Sequence, residues 1–301
     1  MKKPANKYLF VFLGLALCLA LIASLRQTID SSTGDSFNLS QTETTSPFPR
    51  SEQTTAKPPS IKVATYNIAR GKGTDGVRDI LRTASALHHF DIIGLNEVGG
   101  YPFTNQAEQL GNELGLAWLF APNQKRWFYD YFGNGVLSNL QVSGWKSRML
   151  PHDVKKSRAF RNYVVTHFNW QGKVLTVITT HLGRGDLVDV QLNQVMKEFQ
   201  QYPYAILMGD FNLKPDDPIW AEQTDQQAYT EADSSMSAAN KILIGHSERV
   251  DYIFLRGLKV LDSGHQPRGI SDHPLIWANV TLIPDHDASH TAEKNRKPLS
   301  P

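Results

Sequence analysis

The chain has 301 residues, of which 41% are hydrophobic and 20% are charged, and its formal net charge is +2. This composition excludes an intrinsically disordered protein, because the apolar content is sufficient for one large core or two small ones. A net charge so close to zero lacks the basic excess of many nucleic-acid-binding proteins, so it neither requires nor excludes such a partner. The single cysteine, Cys18, is near the N-terminus, which excludes disulfides, cysteine nucleophiles and cysteine-ligated zinc in the rest of the chain.

Residues 1–26 have the pattern of a membrane anchor. Three lysines precede an uncharged apolar stretch at 8–25, about 18 residues long, which is near the lower limit for a helix that crosses a bilayer. Positive charge on the short leading side keeps that side in the cytoplasm, so we expect the rest of the chain to be periplasmic or at the cell surface. The alternative is a cleaved signal peptide and a secreted protein, although residues 23–26 match a cleavage site poorly.

Two polar segments flank the predicted folded domain. Residues 27–60 are rich in Ser, Thr, Gln and Pro, which predicts a flexible linker, because such a segment buries too little apolar surface to offset the entropy of ordering it. Residues 283–301 predict a disordered tail for the same reason. We therefore expect one folded domain at 61–282, in which no internal repeat is visible.

Strands and helices alternate within this domain. Apolar runs predict strands at 61–68, 91–95, 116–120, 135–137, 142–150, 163–170, 174–180, 205–208, 252–255, 258–263 and 275–282. Helical spacing of apolar residues predicts three helices, at Val77, Ile80, Leu81, Ala84 and Leu87, then at Ala107, Leu110 and Leu114, then at Leu187, Val190, Val195, Met196 and Phe199. This order predicts an α/β fold in which two sheets pack face to face under helices.

Polar side chains recur where these strands end. They are Asn67, Glu97, His181, Asp210, Asn212, Asp272 and His273, and Asp251 opens a further strand. Each has an ordinary structural explanation alone, since Asn and Asp favour turns and a histidine can be a hydrogen-bonded core residue. Together they indicate a site, because strand ends on one rim of a sheet converge on a shared crevice.

Six short motifs, in chain order, resemble those of the endonuclease/exonuclease/phosphatase superfamily. They lie at residues 65–68, 95–98, 180–182, 209–212, 249–253 and 271–275. The superfamily includes DNase I-like nucleases, abasic-site endonucleases, inositol polyphosphate phosphatases and neutral sphingomyelinases. The resemblance spans nearly all of 61–282, and it implies a DNase I-like four-layer α/β sandwich and Mg²⁺-dependent hydrolysis of a phosphoester.

The resemblance also implies roles for individual residues. Glu97 is expected to be the principal Mg²⁺ ligand, with Asn67 beside it and Asp272 as a second metal contact, and Mn²⁺ is an alternative ion. Asp210 is expected to orient or deprotonate the attacking water. The expected phosphate contacts are Asn212 and His273, the latter oriented by Asp251, and His181 is expected to donate to the phosphate or to the leaving group.

Three sequence details bear on which relatives are nearest. Asn96 stands where the family usually has Gln before the metal-binding Glu. Residues 132–138 resemble the phosphatase and sphingomyelinase relatives more than the abasic-site endonucleases. Residues 67–73, together with Glu97 and Val98, resemble bacterial members related to eukaryotic GPI-anchor lipid-remodelling proteins.

The substrate is open at this point. Residues 125–132 interleave cations and aromatics, so Lys125 and Arg126 are candidate contacts to a lipid headgroup or to nucleic acid, and Arg161 belongs to a second basic cluster. We favour a phosphodiester in a lipid or its headgroup, with a nuclease as the alternative. An alternative of another class is a catalytically idle, membrane-tethered domain that binds a phosphorylated ligand.

Overall fold

The computed structural model describes residues 59–101, 103–125, 130–153, 159–185, 187–220 and 249–283, with two-residue strands at 27–28, 33–34 and 230–231. Within these residues, no helix has the length and apolar character needed to cross a membrane. The predicted anchor at 1–26, and all but the first residue of the predicted tail, lie outside them. The anchor, and the extracytoplasmic location that depends on it, therefore stay predictions.

The described strands form two seven-stranded mixed sheets. In spatial order, the first sheet contains β1 (Gln27–Thr28), β5 (Ala117–Lys125), β6 (Tyr131–Ser138), β4 (Ile92–Gly100), β3 (Ile61–Asn67), β14 (Leu275–Leu282) and β13 (Leu258–Gln266). The second contains β11 (Thr230–Glu231), β12 (Asp251–Arg256), β10 (Ala205–Asp210), β9 (Lys173–His181), β8 (Asn162–Trp170), β7 (Val142–Met149) and β2 (Thr33–Gly34). Parallel pairs, β3 with β4 and β9 with β10, lie near the middle of the sheets.

Three α-helices of the described part of the chain cover the outer faces of the sheets. They are α1 (Ile80–Ser85), α2 (Gln106–Leu114) and α3 (Val188–Phe199). One apolar core lies between the sheets, a second lies under α1 and α2, and a third lies under α3. The order is helix, sheet, sheet, helix, so the predicted four-layer α/β sandwich is confirmed.

Strand β3 shows why the sequence forms this sandwich. Val63 packs in the core between the sheets, whereas its neighbours Ala64 and Tyr66 pack in the core under α1 and α2. A strand buried on both faces has a nearly continuous apolar sequence rather than an alternating one. The apolar runs in the sequence therefore located the central strands well.

Helix α1 begins later than predicted. The side chain of Asp79 accepts a hydrogen bond from the backbone N–H of Arg82 at 3.0 Å and so caps the helix at Ile80. Val77, which the helical spacing included, lies before the helix, and Val77 and Leu81 are 55% and 61% exposed. The spacing of apolar residues thus placed the start of the helix too early, whereas Asp79, a capping residue, marks where it begins.

Strand β4 continues past the predicted end at residue 95. Its pairing with β6 runs to Gly100, with a shift of register between Leu95 and Val98. Glu97 lies inside this irregularity at φ 57°, a conformation that is rare for a residue with a side chain. Glu97 therefore lies on a bulge within the strand rather than in a loop after it.

Two short strands fall inside the predicted linker. Gln27–Thr28 pairs antiparallel with β5, and Thr33–Gly34 pairs antiparallel with β7. These four residues thus lie at one edge of each sheet. Residues 35–58 lie outside the described part of the chain.

Candidate active site

Five of the predicted site residues meet at one rim of the sandwich. In the second sheet, Asp210 pairs in register with His181 on one side and with Asp251 on the other. In the first sheet, Asn67 ends β3, and His273 lies just before β14, which pairs antiparallel with β3. Because the two sheets face each other, the five side chains enclose a common space.

Asp210 is the most heavily hydrogen-bonded member of this group. Its Oδ2 accepts from Nδ2 of Asn67 at 3.0 Å and lies 3.3 Å from Nε2 of His181, and its Oδ1 accepts from the backbone N–H of Asn212 at 3.0 Å. Burial, and then the nearby charge of Asp251, raise the pKa of Asp210 to about 6. Asp210 is therefore a fixed carboxylate whose proton affinity is higher than usual.

His273 and Asp251 form a second pair. Nδ1 of His273 donates to Oδ2 of Asp251 at 2.8 Å, and Nε2 lies 3.8 Å from Oδ2 of Asp210 and 3.5 Å from Nδ2 of Asn67. Burial alone would lower the pKa of His273, but the hydrogen bond and charge of Asp251 and the charge of Asp210 outweigh it and raise that pKa to about 9. The imidazole is consequently protonated at neutral pH.

His181 is neutral in this arrangement. A guanidinium only donates, so Nδ1 of His181, which lies 3.4 Å from Nη1 of Arg161, must be the acceptor. The ring proton is then on Nε2 and points to Asp210. Burial, followed by the charges of Arg161, His273 and Arg184, lowers the pKa of His181 well below its usual value.

The end of β10 needs a glycine. Gly209 has φ 148°, and a Cβ atom there would lie 1.8 Å from the carbonyl oxygen of Thr180. Asn212 has φ 52°, which asparagine tolerates better than most residues. These two positions let the chain leave β10 while the carboxylate of Asp210 stays in the crevice.

Both ends of the Asn212 amide contact the protein. Nδ2 donates to the carbonyl of Leu182 at 2.8 Å, and Oδ1 accepts from Nε of Arg184 at 2.8 Å. The bond to Leu182 uses one of the two N–H groups on Nδ2. Arg184 was not among the predicted site residues, because its position three residues after His181 is visible in the sequence but an isolated exposed cation is not a specific signal for a site.

The three predicted metal ligands lie at the same rim. Asn67 is fully buried, and its Oδ1 accepts from the backbone N–H of Ala69 at 3.1 Å, which leaves one lone pair. Glu97 is half-buried and follows Asn96, which pairs in register with Asn67. Asp272 is exposed and accepts from the hydroxyl of Ser271 at 3.2 Å.

Another group of candidate ligands overlaps with the predicted catalytic residues. The ligand atoms of Asp210, Asp251 and His273 lie within 4.8 Å of one another, and Oδ1 of Asp251 is buried with no hydrogen-bond partner among the described residues. With Glu97 and Asn67 close by, the rim offers mainly carboxylate and amide oxygens. Such hard oxygen donors fit Mg²⁺ or Mn²⁺.

The predicted substrate-binding cations divide into two places. Lys125 ends β5 at the rim that holds Glu97, with its Nζ 5.7 Å from the ring centroid of Tyr131. Arg161 lies beside His181. Arg126 is outside the described residues, so its predicted role stays a prediction.

The solved structures that resemble this chain share its fold. An endonuclease/exonuclease/phosphatase from Beutenbergia cavernae DSM 12333 matches with a TM-score of 0.63 at 20% identity, over 75% of this chain and 72% of that chain. An endonuclease/exonuclease/phosphatase from Bacteroides vulgatus matches at 0.60 with 15% identity, over 74% and 99% of the two chains. TDP2 from D. rerio, complexed with single strand DNA product, matches at 0.55 with 17% identity, over 74% and 99%.

The sequence itself supplies the family assignment. Comparison with curated proteins gives no significant match. The model of the endonuclease/exonuclease/phosphatase family matches residues 64–273, more than half of the chain, and this span includes every residue of the rim described above. The chain therefore belongs to the endonuclease/exonuclease/phosphatase family, whose members generally hydrolyse phosphoester bonds and typically depend on a divalent metal ion.

Proposed function

We propose that this protein is a divalent-metal-dependent phosphodiesterase in which water attacks phosphorus in line with the leaving oxygen. The observation that carries the proposal is the set of hydrogen bonds around Asp210. They leave the carboxylate buried, fixed in orientation and adjacent to a protonated imidazole. Displacement at phosphorus requires a positioned water and donors for the oxygens that gain charge, and no covalent nucleophile.

Asp210 is the group that orients and deprotonates the attacking water. Its two oxygens accept from Asn67 and from the Asn212 backbone, so the carboxylate cannot rotate without losing these bonds. A pKa raised to about 6 makes it a better proton acceptor than an ordinary carboxylate, yet leaves it mainly ionised at neutral pH. Asp210 thus combines fixed geometry with a suitable pKa.

Imidazole and guanidinium groups hold the phosphoryl oxygens. The Nε2–H of His273 points into the crevice while Asp251 holds Nδ1, so His273 donates to the oxygen that gains charge. Arg161 contacts His181, Arg184 contacts Asn212, and both bring positive charge to the same rim. Guanidinium groups match phosphate geometry well.

A divalent ion, when bound, would polarise a phosphoryl oxygen and offset the charge that develops on it. Glu97 and Asn67 are the residues proposed to hold it, with Asp272 at the outer edge. The side chain of Glu97 has no hydrogen bond or ion pair with any residue of the described ranges, so its carboxylate is available for a ligand. Mg²⁺ suits this small set of oxygen donors, because it retains several waters of its own.

A phosphodiester in a lipid or its headgroup is the substrate class we favour. The side chain of Phe103 is 98% exposed and that of Tyr101 is 39% exposed, both in the loop between β4 and α2. Arg70 lies 5.9 Å from the Tyr101 ring and pairs with Asp130, and Lys125 is on the same rim. Exposed aromatics beside cations suit an amphiphile at a membrane surface, as does the predicted anchor at 1–26.

A nuclease activity is the second candidate. The same aromatic and basic side chains can stack on bases and contact a phosphate backbone. TDP2, which shares the fold, is described as complexed with single strand DNA product. A substrate panel distinguishes the two candidates.

The test uses the full-length chain with phospholipids, single- and double-stranded DNA, RNA and inositol phosphates, each with Mg²⁺ and with EDTA. We expect Mg²⁺-dependent turnover, and we expect lipid diesters to be hydrolysed faster than nucleic acids. Cleavage of DNA without cleavage of lipids would contradict the lipid preference. Binding of these compounds without turnover of any of them would instead support the idle binding domain.

A further inference from the structure

Four asparagines form a continuous run of hydrogen-bonded side chains between the two sheets. This run, called here the amide chain, consists of Asn96, Asn134, Asn162 and Asn123. Each is at most 1% exposed. Asn162 belongs to the second sheet and the other three to the first, so the amide chain connects the sheets. Buried amides are costly unless they are bonded, and this set is bonded from one member to the next.

The amide chain ends at Asp210. Oδ1 of Asn96 accepts from the backbone N–H of Asp210 at 3.0 Å, and Nδ2 donates to the carbonyl of Thr180 at 2.9 Å. Thr180 and Asp210 lie on neighbouring strands, β9 and β10, so one side chain from the opposite sheet joins both. A backbone N–H only donates and a carbonyl only accepts, which gives the Asn96 amide a single orientation.

The other amides of the chain fix the side chain of Asn96 through hydrogen bonds. Nδ2 of Asn96 also donates to Oδ1 of Asn134 at 2.9 Å, and Nδ2 of Asn134 donates to Oδ1 and to the backbone oxygen of Asn162 at 2.8 and 3.0 Å. Nδ2 of Asn162 donates to the carbonyl of Ala121 at 3.1 Å. Backbone groups at both ends thus set the direction of every amide between them.

Asn96 also adjoins the proposed metal ligand. Glu97 follows it directly, on the bulge of β4 at φ 57°. The same side chain therefore connects the backbone that carries Glu97 with the backbone that carries Asp210. A site of this kind needs its groups held within about 0.5 Å of their productive positions. This requires hydrogen bonds and packing from the residues that surround those groups.

We propose that Asn134 and Asn162 are positioning residues, which fix the distance between Glu97 and Asp210 through Asn96 and touch no substrate themselves. This inference rests on the proposed phosphodiesterase function. Substitution of either of these two buried residues should therefore reduce turnover more than it reduces the stability of the fold. The effect should decrease along the amide chain, away from Asp210.

The test compares Asn134→Leu with Thr166→Val in the full-length chain. Thr166 is also fully buried, and its hydroxyl donates to the carbonyl of Val177 at 3.1 Å, but within the described residues no bond joins it to Asp210. Two quantities are measured: kcat and KM with bis-p-nitrophenyl phosphate and Mg²⁺, and the hydrogen-exchange rate of the Asp210 amide by NMR in EDTA. Thermal denaturation reports the stability of both variants.

For Asn134→Leu we expect kcat to fall about 10- to 100-fold, the range typical of residues that support metal ligands, with KM little changed. We also expect the Asp210 amide to exchange faster in this variant, and Thr166→Val to change neither quantity. Equal kcat values and equal Asp210 exchange rates in the two variants would overturn the proposal.

A second variant covers the case in which Asn134→Leu does not fold. In Asn162→Ala, Asn134 keeps its bond to the backbone oxygen of residue 162, so a smaller fall in kcat and a smaller gain in exchange are expected. Values equal to those of Thr166→Val would again overturn the proposal. If the wild-type chain shows no turnover, the proposed function is wrong, and the exchange rates alone then decide whether the amide chain positions Asp210.

Discussion

Nδ1 of His273 donates a hydrogen bond to Oδ2 of Asp251 at 2.8 Å, and this contact determines which ring nitrogen is left for a substrate, namely Nε2. Asp251 opens β12, whereas His273 lies just before β14, so strands from both sheets build the pair. The side chain of Asp251 is buried at 1% exposure, which strengthens its effect on the imidazole.

Replacing Asp251 with Asn should lower the pKa of His273. In the wild type, the bond and the charge of Asp251 raise that pKa to about 9, so His273 stays protonated until the pH passes about 9. The amide side chain of Asp251→Asn keeps an oxygen for Nδ1–H but removes the charge, so the imidazole should lose its proton at lower pH. NMR titration of the His273 ring in EDTA measures the change, and an unaltered titration midpoint would contradict this account of the pair.

Replacing Gly209 with Ala should disrupt the site and destabilise the protein. The added Cβ would lie 1.8 Å from the carbonyl oxygen of Thr180, and φ is 148°. The backbone must move, so the variant should be destabilised by more than the roughly 0.4–1 kcal/mol by which a tolerated Gly-to-Ala change stabilises a protein. Gly172→Ala is the control, since no atom lies within 4 Å of a Cβ there, although its φ of 76° adds some strain. Urea denaturation of both variants measures the difference, and equal stabilities would be inconsistent with the packing at Thr180.

Replacing Arg184 with Gln should weaken substrate binding more than it slows turnover. Arg184 is exposed, and its Nε donates to Asn212, so this bond does not use its two terminal nitrogens. Loss of one contact to a phosphate oxygen should raise KM about tenfold, equivalent to about 1.4 kcal/mol. Lys197→Gln, an exposed cation on α3, is the control. Michaelis constants that are equal in the two variants would remove Arg184 from the site.

A stability test away from the site concerns Glu198. Its carboxylate contacts Lys146 at 2.7 Å and accepts from Tyr202 at 2.6 Å and from Tyr163 at 3.2 Å. Burial raises the pKa of Glu198, but these partners outweigh burial and hold it below its usual value. The carboxylate therefore stabilises the fold above the unfolded-state pKa of about 4.3, and this contribution is lost as the pH falls below it.

Glu198→Gln should accordingly cost about 1.5–3 kcal/mol at pH 7, the range for a lost hydrogen bond to a charged group, and less at pH 3.5. Urea denaturation at the two pH values measures the change. A cost that does not depend on pH would show that the charge of Glu198 contributes nothing.

The strand ends allowed much of the site to be located in the sequence. Each of Asn67, His181 and Asp210 directly ends an apolar run, and the parallel pairs β3 with β4 and β9 with β10 bring those ends to one rim. Runs of buried residues are a strong signal in central strands, because both faces of the strand are covered. The position of these residues could therefore be predicted, although their roles could not be derived from position alone.

Other features left no usable signal in the sequence. The bulge at Glu97 depends on pairing with β6, which is distant in the chain, so the apolar pattern alone placed the end of β4 too early. The amide chain was also not visible, because an isolated asparagine such as Asn162 resembles a turn residue until its partners are known. Arg184 was missed because a single exposed cation in a loop is ordinarily solvated.

Asp210 is the centre of the proposed mechanism, so its amide variant provides the most direct test. The measurement is the rate of bis-p-nitrophenyl phosphate hydrolysis with Mg²⁺ by Asp210→Asn, beside the wild type and Asp216→Asn, an exposed acid in the following loop. We expect Asp210→Asn to remain folded and to lose about 10²- to 10⁴-fold in kcat, the usual contribution of a general base, and Asp216→Asn to match the wild type. Wild-type turnover by Asp210→Asn would contradict the mechanism.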